Sequence, residues 1–372
     1  MPANDLSAPS RTSSKHPGPD RNVKSVVLGN ILFKTWFHSL YPEELVGKDT
    51  DRLYVCRWCF RYSCDQDTYL GHIRLCEHRT TPPGTKVYDW RGYSVWEIDG
   101  EDYKLYTQNL SLFAKLFLDH KSVFFDVSSF LYYILVFTNP RDANDYHVLG
   151  YFSKEKMSWD ANNLACILIF PPYQHKQLGK LLMGVSYKLS AWEWEGGMIG
   201  GPERPLSEMG RKSYVRFWEE RISRFFLLGP PGADPYGLKT PSASSPTSPF
   251  KPAAGSKGTK RKLAREEMTI GEIGQATGML VEDVITALKE MGIVEPEKPG
   301  KKRKRAPLST SMAVTGMVDG HAEAAVVRKQ SVFEWAKIHR VNLRDPVAED
   351  GFLGEWAPED DDQEDQETDG GD

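Results

Sequence analysis

Along this chain apolar residues alternate with polar ones, then bunch, then fall into a helical rhythm, and each change predicts an element. Val26–Leu28 and Ile31–Trp36 predict two short strands, with Gly29 and Asn30 as the turn between them. Tyr88–Trp96 predicts a strand pair turning at Gly92, and Val95–Ile98 with Tyr103–Tyr106 predicts a hairpin across Asp99–Gly100. Leu110–Leu118 has the spacing of an amphipathic helix. Asn139 to Tyr146 is polar and turn-like, and Val148–Tyr151 resumes as a strand. An apolar run from Leu164 to Phe170 ends at Pro171 and Pro172, because proline donates no ladder hydrogen bond. After the polar turn Tyr173–Leu178, an amphipathic helix starts at Gly179 and runs to about Trp194, with Leu181, Leu182, Val185 and Leu189 near one face. Residues 198–210 form a turn rich in Gly and Pro, where Pro202 and Pro205 stiffen the chain around Glu203 and Arg204. Ser207 is placed to cap a helix Glu208–Phe226. Ile270–Ala276, Gly278 and Val281–Met291 predict helix–turn–helix, and Val332–Ile338 with Arg340–Leu343 predict closing strands.

Stretches without such rhythm divide the chain. Residues 1–22 are predicted disordered, 23–80 hold the first strands and a cysteine-rich unit, and 81–227 form the main core. A Pro/Ser/Gly/Lys-rich insertion at 228–266 is predicted disordered and precedes a helix–turn–helix-like part at 267–345, itself interrupted by a basic insertion at 297–325. An acidic tail, 346–372, closes the chain and is predicted disordered.

Composition narrows the class. A chain of 372 residues with 40% hydrophobic content and ten Trp is globular and long enough for two or three units. No apolar run approaches the roughly 18 residues of a membrane span, so no membrane role is expected. Five cysteines are too few for a disulfide scaffold and fit a reducing compartment. The net charge of −4 hides an asymmetry: Glu359 to Asp372 hold nine acids and no base, so the rest stands at +5. Within 297–325, Lys301 to Arg305 forms a basic run that reads as a nuclear-import signal or as a solvated linker.

Two stretches carry chemistry. Cys56 and Cys59 are followed, twelve residues on, by His72 and then by Cys76, a spacing that offers zinc two ligands from a strand turn and two from a helix. His78 stands just beyond as a rival fourth ligand, and Cys64 is a bystander. Four protein ligands leave no open position, so such a site is structural. Arg52, Arg57, Arg61, Arg74 and Arg79 give this unit a basic set that suits either a solvated face or weak nucleic-acid contact. The second stretch is Asn163–Met183, where strand, polar turn and helix N-terminus present unpaired N–H groups able to hold a pyrophosphate.

The wording of these stretches resembles the MYST family of histone acetyltransferases. Cys166 within LACILIF, then PPYQ and GKLL, is similar to the family's acetyl-CoA-binding segment; FLDHK and GGPERPLSEMG are similar to two further family stretches. The resemblance covers about Val23–Leu227 and, less tightly, Thr269–Leu343. It implies an α+β fold with an acyl-CoA N-acyltransferase-like central sheet, an N-terminal C2HC zinc finger with Cys76 as its last ligand, and a C-terminal helix–turn–helix-like unit. It also implies transfer of an acetyl group from acetyl-CoA to a lysine of a core histone tail, in the nucleus, with nucleosomes and chromatin-complex subunits as partners. The small size resembles the fungal silencing-type branch, whose members acetylate histone H4.

The resemblance assigns residues as well. Glu203 falls on the family's catalytic glutamate, Cys166 on its active-site cysteine, and Lys121 on its autoacetylated lysine. Ile167, Leu168 and Ile169 would pair with the pantetheine arm. Gln174, His175, Lys176, Gln177, Leu178, Gly179 and Lys180 would hold the pyrophosphate, and Ser207 matches a further cofactor contact. The chain departs from the family in places: Gln177 replaces the middle glycine of the turn, His175 the usual arginine, and Arg216 a serine contact. Direct transfer with Glu203 as general base is expected, a covalent acetyl-Cys166 being the alternative. Two rival readings are a catalytically impaired scaffold, which Gln177 favours, and a zinc-dependent nucleic-acid-binding protein. Against the latter, the second helix of the helix–turn–helix carries Glu282, Asp283 and Glu290 beside one base, Lys289, so direct DNA binding is expected to be weak or absent.

Overall fold

The computed structural model describes residues 21–158, 160, 162–193, 200–229, 266–294 and 325–357. Its elements run in the order β1 (Val23–Leu28), β2 (Ile31–Lys34), β3 (Thr50–Val55), β4 (Tyr62–Ser63), α1 (Gln66–Leu75), β5 (Thr85–Trp90), β6 (Tyr93–Asp99) and α2 (Lys104–Lys115). Then follow β7 (Phe130–Asn139), β8 (Asp142–Glu155), β9 (Cys166–Ile169), α3 (Leu178–Glu193) and α4 (Glu208–Leu228). The last set is β10 (Glu267–Thr269), α5 (Ile270–Thr277), α6 (Val281–Glu290), β11 (Val326–Arg328) and α7 (Lys329–Ile338).

Alternation along the strands explains the layering. The central sheet has five strands in the order β5-β6-β7-β8-β9, every neighbouring pair antiparallel. On β7, Tyr133 and Leu135 face one core while Tyr132, Ile134 and Val136 face the other, as a two-residue period requires. The first core is shared with α3, α4, the helix–turn–helix unit and α7. The second is shared with α2 and the finger, whose own four-stranded sheet runs β2-β1-β3-β4. Burying both faces explains why the core strands hold Tyr, Ile, Leu and Val at consecutive positions. Gly150 on β8 marks the closest approach to β9: a Cβ there would lie 2.4 Å from the carbonyl oxygen of Leu168.

Several elements differ from the sequence expectation. Tyr103–Tyr106 is not the second arm of a hairpin, because β6 already pairs on both edges, with β5 and with β7. The chain turns at Asp99, whose carboxylate accepts from the N–H of Glu101 at 2.8 Å, and enters α2 one residue after Tyr103. Tyr106, Leu110, Phe113 and Phe117 are all buried at helical spacing, so the helical period begins earlier than Leu110. Asp142–Tyr146 is strand, not turn, because β8 stays paired with β7, through register shifts at Leu135/Val136 and Thr138/Asn139, down to the pair Asn139–Asp142. Val332–Ile338 is the helix α7, with Val332, Trp335 and Ala336 buried on one face; the strand lies earlier, at β11, which pairs with β10. Residues 340–343 form no strand.

Segment limits shift too. Asn22 is buried, its side-chain amide donating to the Ser39 carbonyl at 2.7 Å. Leu228 belongs to α4. Residues 346–357, grouped with the acidic tail by composition, pack through Val347 and Phe352 onto the first core. Predicted disorder at 1–20, 230–265 and 358–372, and the basic insertion at 297–324 with its run Lys301 to Arg305, lie outside the described residues.

Candidate active site and zinc centre

The finger gathers its ligands from two turns. Cys56 follows β3, and its N–H donates to the Arg61 carbonyl at 2.8 Å, closing a tight turn that carries Cys59. Asp65 caps α1 by accepting from the Thr68 N–H, which sets the helix that presents His72 and ends at Cys76. The four ligand atoms lie within 4.8 Å of one another. Cys56 Sγ stands 3.8 Å from Cys76 Sγ. Tetrahedral zinc with Zn–S bonds of about 2.3 Å demands a separation of about 3.8 Å. Cys59 Sγ lies 3.2 Å from His72 Nε2. Hydrogen bonds from Cys59 and Cys76 hold the Cys56 thiol well below its usual range, while their contact with Cys56 pushes Cys59 and Cys76 up. The residues therefore fit a closed, structural zinc site. His78 points elsewhere, edge-on to Tyr106 at 5.5 Å, and Cys64 is exposed. Of the basic set, Arg57 turns inward to Asp145 at 3.0 Å and lies over Trp58.

The catalytic candidates meet at the start of β9. Ala165 N–H donates to the Ser153 carbonyl at 2.7 Å, which seats Cys166 opposite Ser153 at the edge of the sheet. The proline-stiffened loop comes alongside: Asn163 N–H donates to Gly201 and Glu203 N–H to Leu164, both at 2.9 Å. Lys121 sits in the loop between α2 and β7, buried, with both Cys166 and Glu203 acting on its ammonium. Burial lowers its pKa, and those two groups only partly oppose the shift. Glu203 stands at the exposed rim of this cluster, and its carboxyl is pushed up by partial burial first and by Glu155 second, against the pull of Lys121.

Sequence reading missed part of this lining. Tyr151, Ser153 and Glu155 alternate along β8 on one face, leading from a buried tyrosine that senses Cys166 to the acid that senses Glu203. Tyr132, which also senses Cys166, stacks on Tyr151 at 6.0 Å and shares a 3.0 Å hydrogen bond with Ser111. The two-residue period in YFSKE holds that face, but the strand's limits had to be known first.

A ligand cradle adjoins the cluster. Among the described residues β9 is an edge strand, so Ile167, Leu168 and Ile169 present one side to β8 and the other to no described strand. Past Phe170, Pro171 to Tyr173 makes a single 3-10 turn, and Gln174 folds back so that its Nε2 donates to the Ile169 carbonyl at 2.8 Å. His175 and Gln177 then adopt φ of +63°, with Lys176 between them at negative φ. Such alternation turns successive N–H groups into a concave, anion-binding row. Among the described residues, the N–H groups of His175, Lys176, Gln177, Leu178 and Gly179 donate to nothing. Lys176 is exposed, whereas Lys180 is engaged: Glu220 accepts from its Nζ at 2.7 and 2.8 Å and also holds Arg216 Nε at 3.1 Å. Ser207 caps α4 by accepting from the Gly210 N–H at 3.0 Å, which leaves its own hydroxyl proton to give.

Comparison with known proteins agrees with this geometry. The sequence model of the MOZ/SAS family matches residues 81–233, and that of the MYST family zinc finger domain matches residues 20–76. Together they span more than half of the chain, which belongs to the MYST family. It is 36% identical over 273 residues to Histone acetyltransferase MOF of Drosophila melanogaster, covering 73% of this chain and 28% of that protein. It is 34% identical over 273 residues to the Histone acetyltransferase Tip60 homolog of Caenorhabditis elegans, covering 73% and 51%. It is 43% identical over 198 residues to Histone acetyltransferase of the MYST family 1 of Arabidopsis thaliana, covering 53% and 42%. The chain thus spans about half the length, or less, of these relatives.

Proposed function

We propose that the protein is a lysine acetyltransferase that moves the acetyl group of acetyl-CoA to a core histone tail. One observation carries the reading: Cys166, Glu203 and Lys121 converge beside a free strand edge that runs straight into an amide-lined turn. The edge suits the amide groups of a pantetheine arm, and the turn suits a pyrophosphate. A free lysine, with pKa about 10.4, is almost wholly protonated at neutral pH, so transfer needs a base. Glu203 takes the ammonium proton of the incoming lysine; the freed amine attacks the thioester carbonyl, the C–S bond breaks, and the proton shed by the newly acylated nitrogen passes to the departing sulfur, releasing the CoA thiol. A carboxyl pushed up by burial is a stronger base than an exposed one. Cys166 lines the site during direct transfer.

Histone H4 is the proposed target, on the resemblance to the fungal silencing-type branch. Lys121 is the proposed autoacetylation site: acetylation removes the charge that its burial disfavours. The relatives' names print histones as the substrate, which suits action on chromatin in the nucleus; complex subunits are proposed as partners on the family resemblance alone. Direct DNA binding through the helix–turn–helix is not part of the proposal, since Glu282, Asp283 and Glu290 on α6 are engaged by Arg204 and Arg211 of the core. The test is radiolabelled acetyl-CoA with free histones and with nucleosomes. Label on H4 that is lost in Glu203→Gln but largely kept in Cys166→Ala is expected. Label on no histone overturns the reading, and an acetyl-cysteine that forms and decays at the rate of turnover overturns direct transfer. If the wild type binds no acetyl-CoA and Gln177→Gly restores binding, the scaffold reading replaces it.

A further inference from the structure

The helix–turn–helix unit reaches the loop of Glu203 through a buried charge. Asp283 lies in the first turn of α6, and its side chain has 0% exposure. Arg204, the neighbour of Glu203 in the chain, donates from Nη2 to Asp283 Oδ1. Its Nε lies 3.5 Å from Glu282 Oε1. The second oxygen, Oδ2, has no hydrogen-bond partner among the described residues and is closed over by the same loop: a Cβ on Gly201 would lie 2.8 Å from it. Tyr187 and Tyr214 feel the carboxylate from α3 and α4. Other pairs joining this unit to the core differ in kind, for Arg211 and Glu290, 2.6 Å apart, are 54% and 45% exposed. An exposed pair of that sort contributes little, whereas a buried carboxylate must keep its cation.

The loop is thus fixed on two sides. Backbone hydrogen bonds from Asn163 and Glu203 tie it to the lead-in of β9, and Arg204 ties it to α6. Glu203 lies between the two anchors. We propose that Asp283 is a positioning residue for the acetyl transfer, holding Arg204 from α6 and so fixing the Glu203 carboxylate at the Cys166–Lys121 cluster. The proposal rests on the reading of Glu203 as the base. The helix–turn–helix is then a brace of the active site, and its acidic second helix serves that purpose.

The experiment uses the full chain carrying Asp283→Asn, Arg204→Gln or both. Each single variant is expected to lower kcat on the order of 10²-fold, the scale set by a misplacement of about 1 Å, while leaving KM for acetyl-CoA near wild type; Arg204→Gln, which leaves the buried Asp283 unpaired, is expected to lower the melting temperature more than Asp283→Asn. Amide hydrogen exchange at Glu203 is expected to accelerate, since its bond to Leu164 loses the second anchor. The double variant is expected to be no worse than the worse single one, because both break one link. Unchanged kcat and unchanged exchange at Glu203 overturn the proposal, as do losses that multiply in the double variant. If Arg204→Gln does not fold, Asp283→Asn decides, since it leaves an arginine 41% exposed rather than a buried carboxylate without its cation. If the wild type transfers no acetyl group, the acetyltransferase reading fails, and exchange at Glu203 alone decides the positioning role.

Discussion

Gln177→Gly separates strain in the protein from affinity for its ligand. Gln177 adopts φ of +63°, the left-handed region that a residue with a side chain disfavours. A residue with a Cβ in that region costs roughly 1–2 kcal/mol more than glycine. The replacement returns roughly 0.5–1 kcal/mol through the greater freedom of the unfolded chain. The side chain is exposed, so little packing is lost. The net expectation is a fold more stable by about 0.5–1 kcal/mol, or a rise in melting temperature of about 1–4 °C for a core of this size. Relief of backbone strain is read in folding stability, and affinity for acetyl-CoA reads the bulk or the amide of the side chain. Urea unfolding and calorimetric titration with acetyl-CoA measure the two separately. Equal or lower stability in Gln177→Gly would refute the strain argument, and weaker binding would show the amide to be a phosphate donor.

Three other perturbations test the remaining structure. Cys76→Ser is expected to lose zinc, read by elemental analysis, and to unfold at lower temperature, while His78→Ala keeps the metal, because only Cys76 lies within the ligand cluster. Glu203→Gln is expected to lower transfer by roughly 10²–10⁴-fold at neutral pH. That defect should shrink as pH rises and the substrate lysine sheds its proton unaided; a pH-independent loss refutes the base. Lys121→Met is expected to stabilise the fold, because burial lowers the lysine's pKa below its unfolded value. In the wild type this penalty is full below the folded pKa and vanishes above the unfolded one, so the gain seen in thermal melts should fade as the pH approaches about 10.5.

The parts of the site that depend on local spacing were legible. The zinc ligands sit in one turn, one helix and that helix's cap, so their spacing survives folding unchanged. Ser207 and Glu208 announced the start of α4, and Thr269 with Glu272 closes a capping box at α5. Where the pattern was ambiguous, tertiary pairing decided. Tyr103–Tyr106 alternates like a strand, but β6 had no edge left to receive it. Val332–Ile338 has β-branched and aromatic residues, yet its buried positions fall three and four apart. The charge of Lys180 was misread for a different reason. Its partner, Glu220, lies forty residues further on, and no periodicity links the two. The same holds for Asp283, which looked like one acid in an acidic helix until its burial was seen.

The central sheet treats its two borders unequally. At β5 the chain covers its own border: Phe352 bridges to Tyr88, Leu353 donates to the Val87 carbonyl at 3.0 Å, and the Tyr88 hydroxyl accepts from the Ala348 N–H at 3.2 Å. At β9 the border stays bare, as a ligand-binding role requires, and a bare border is also where a second molecule could add a strand. The chain limits that hazard by economy of length. β9 offers only Cys166 to Ile169, with Pro171 and Pro172 just beyond and the Ile169 carbonyl already held by Gln174. Such a border is long enough for one slender arm and too short to template a sheet. If β9 receives the cofactor as proposed, solubility and ligand access depend on the same four residues, and any change that lengthens β9 to grip the ligand better should also raise the tendency to aggregate.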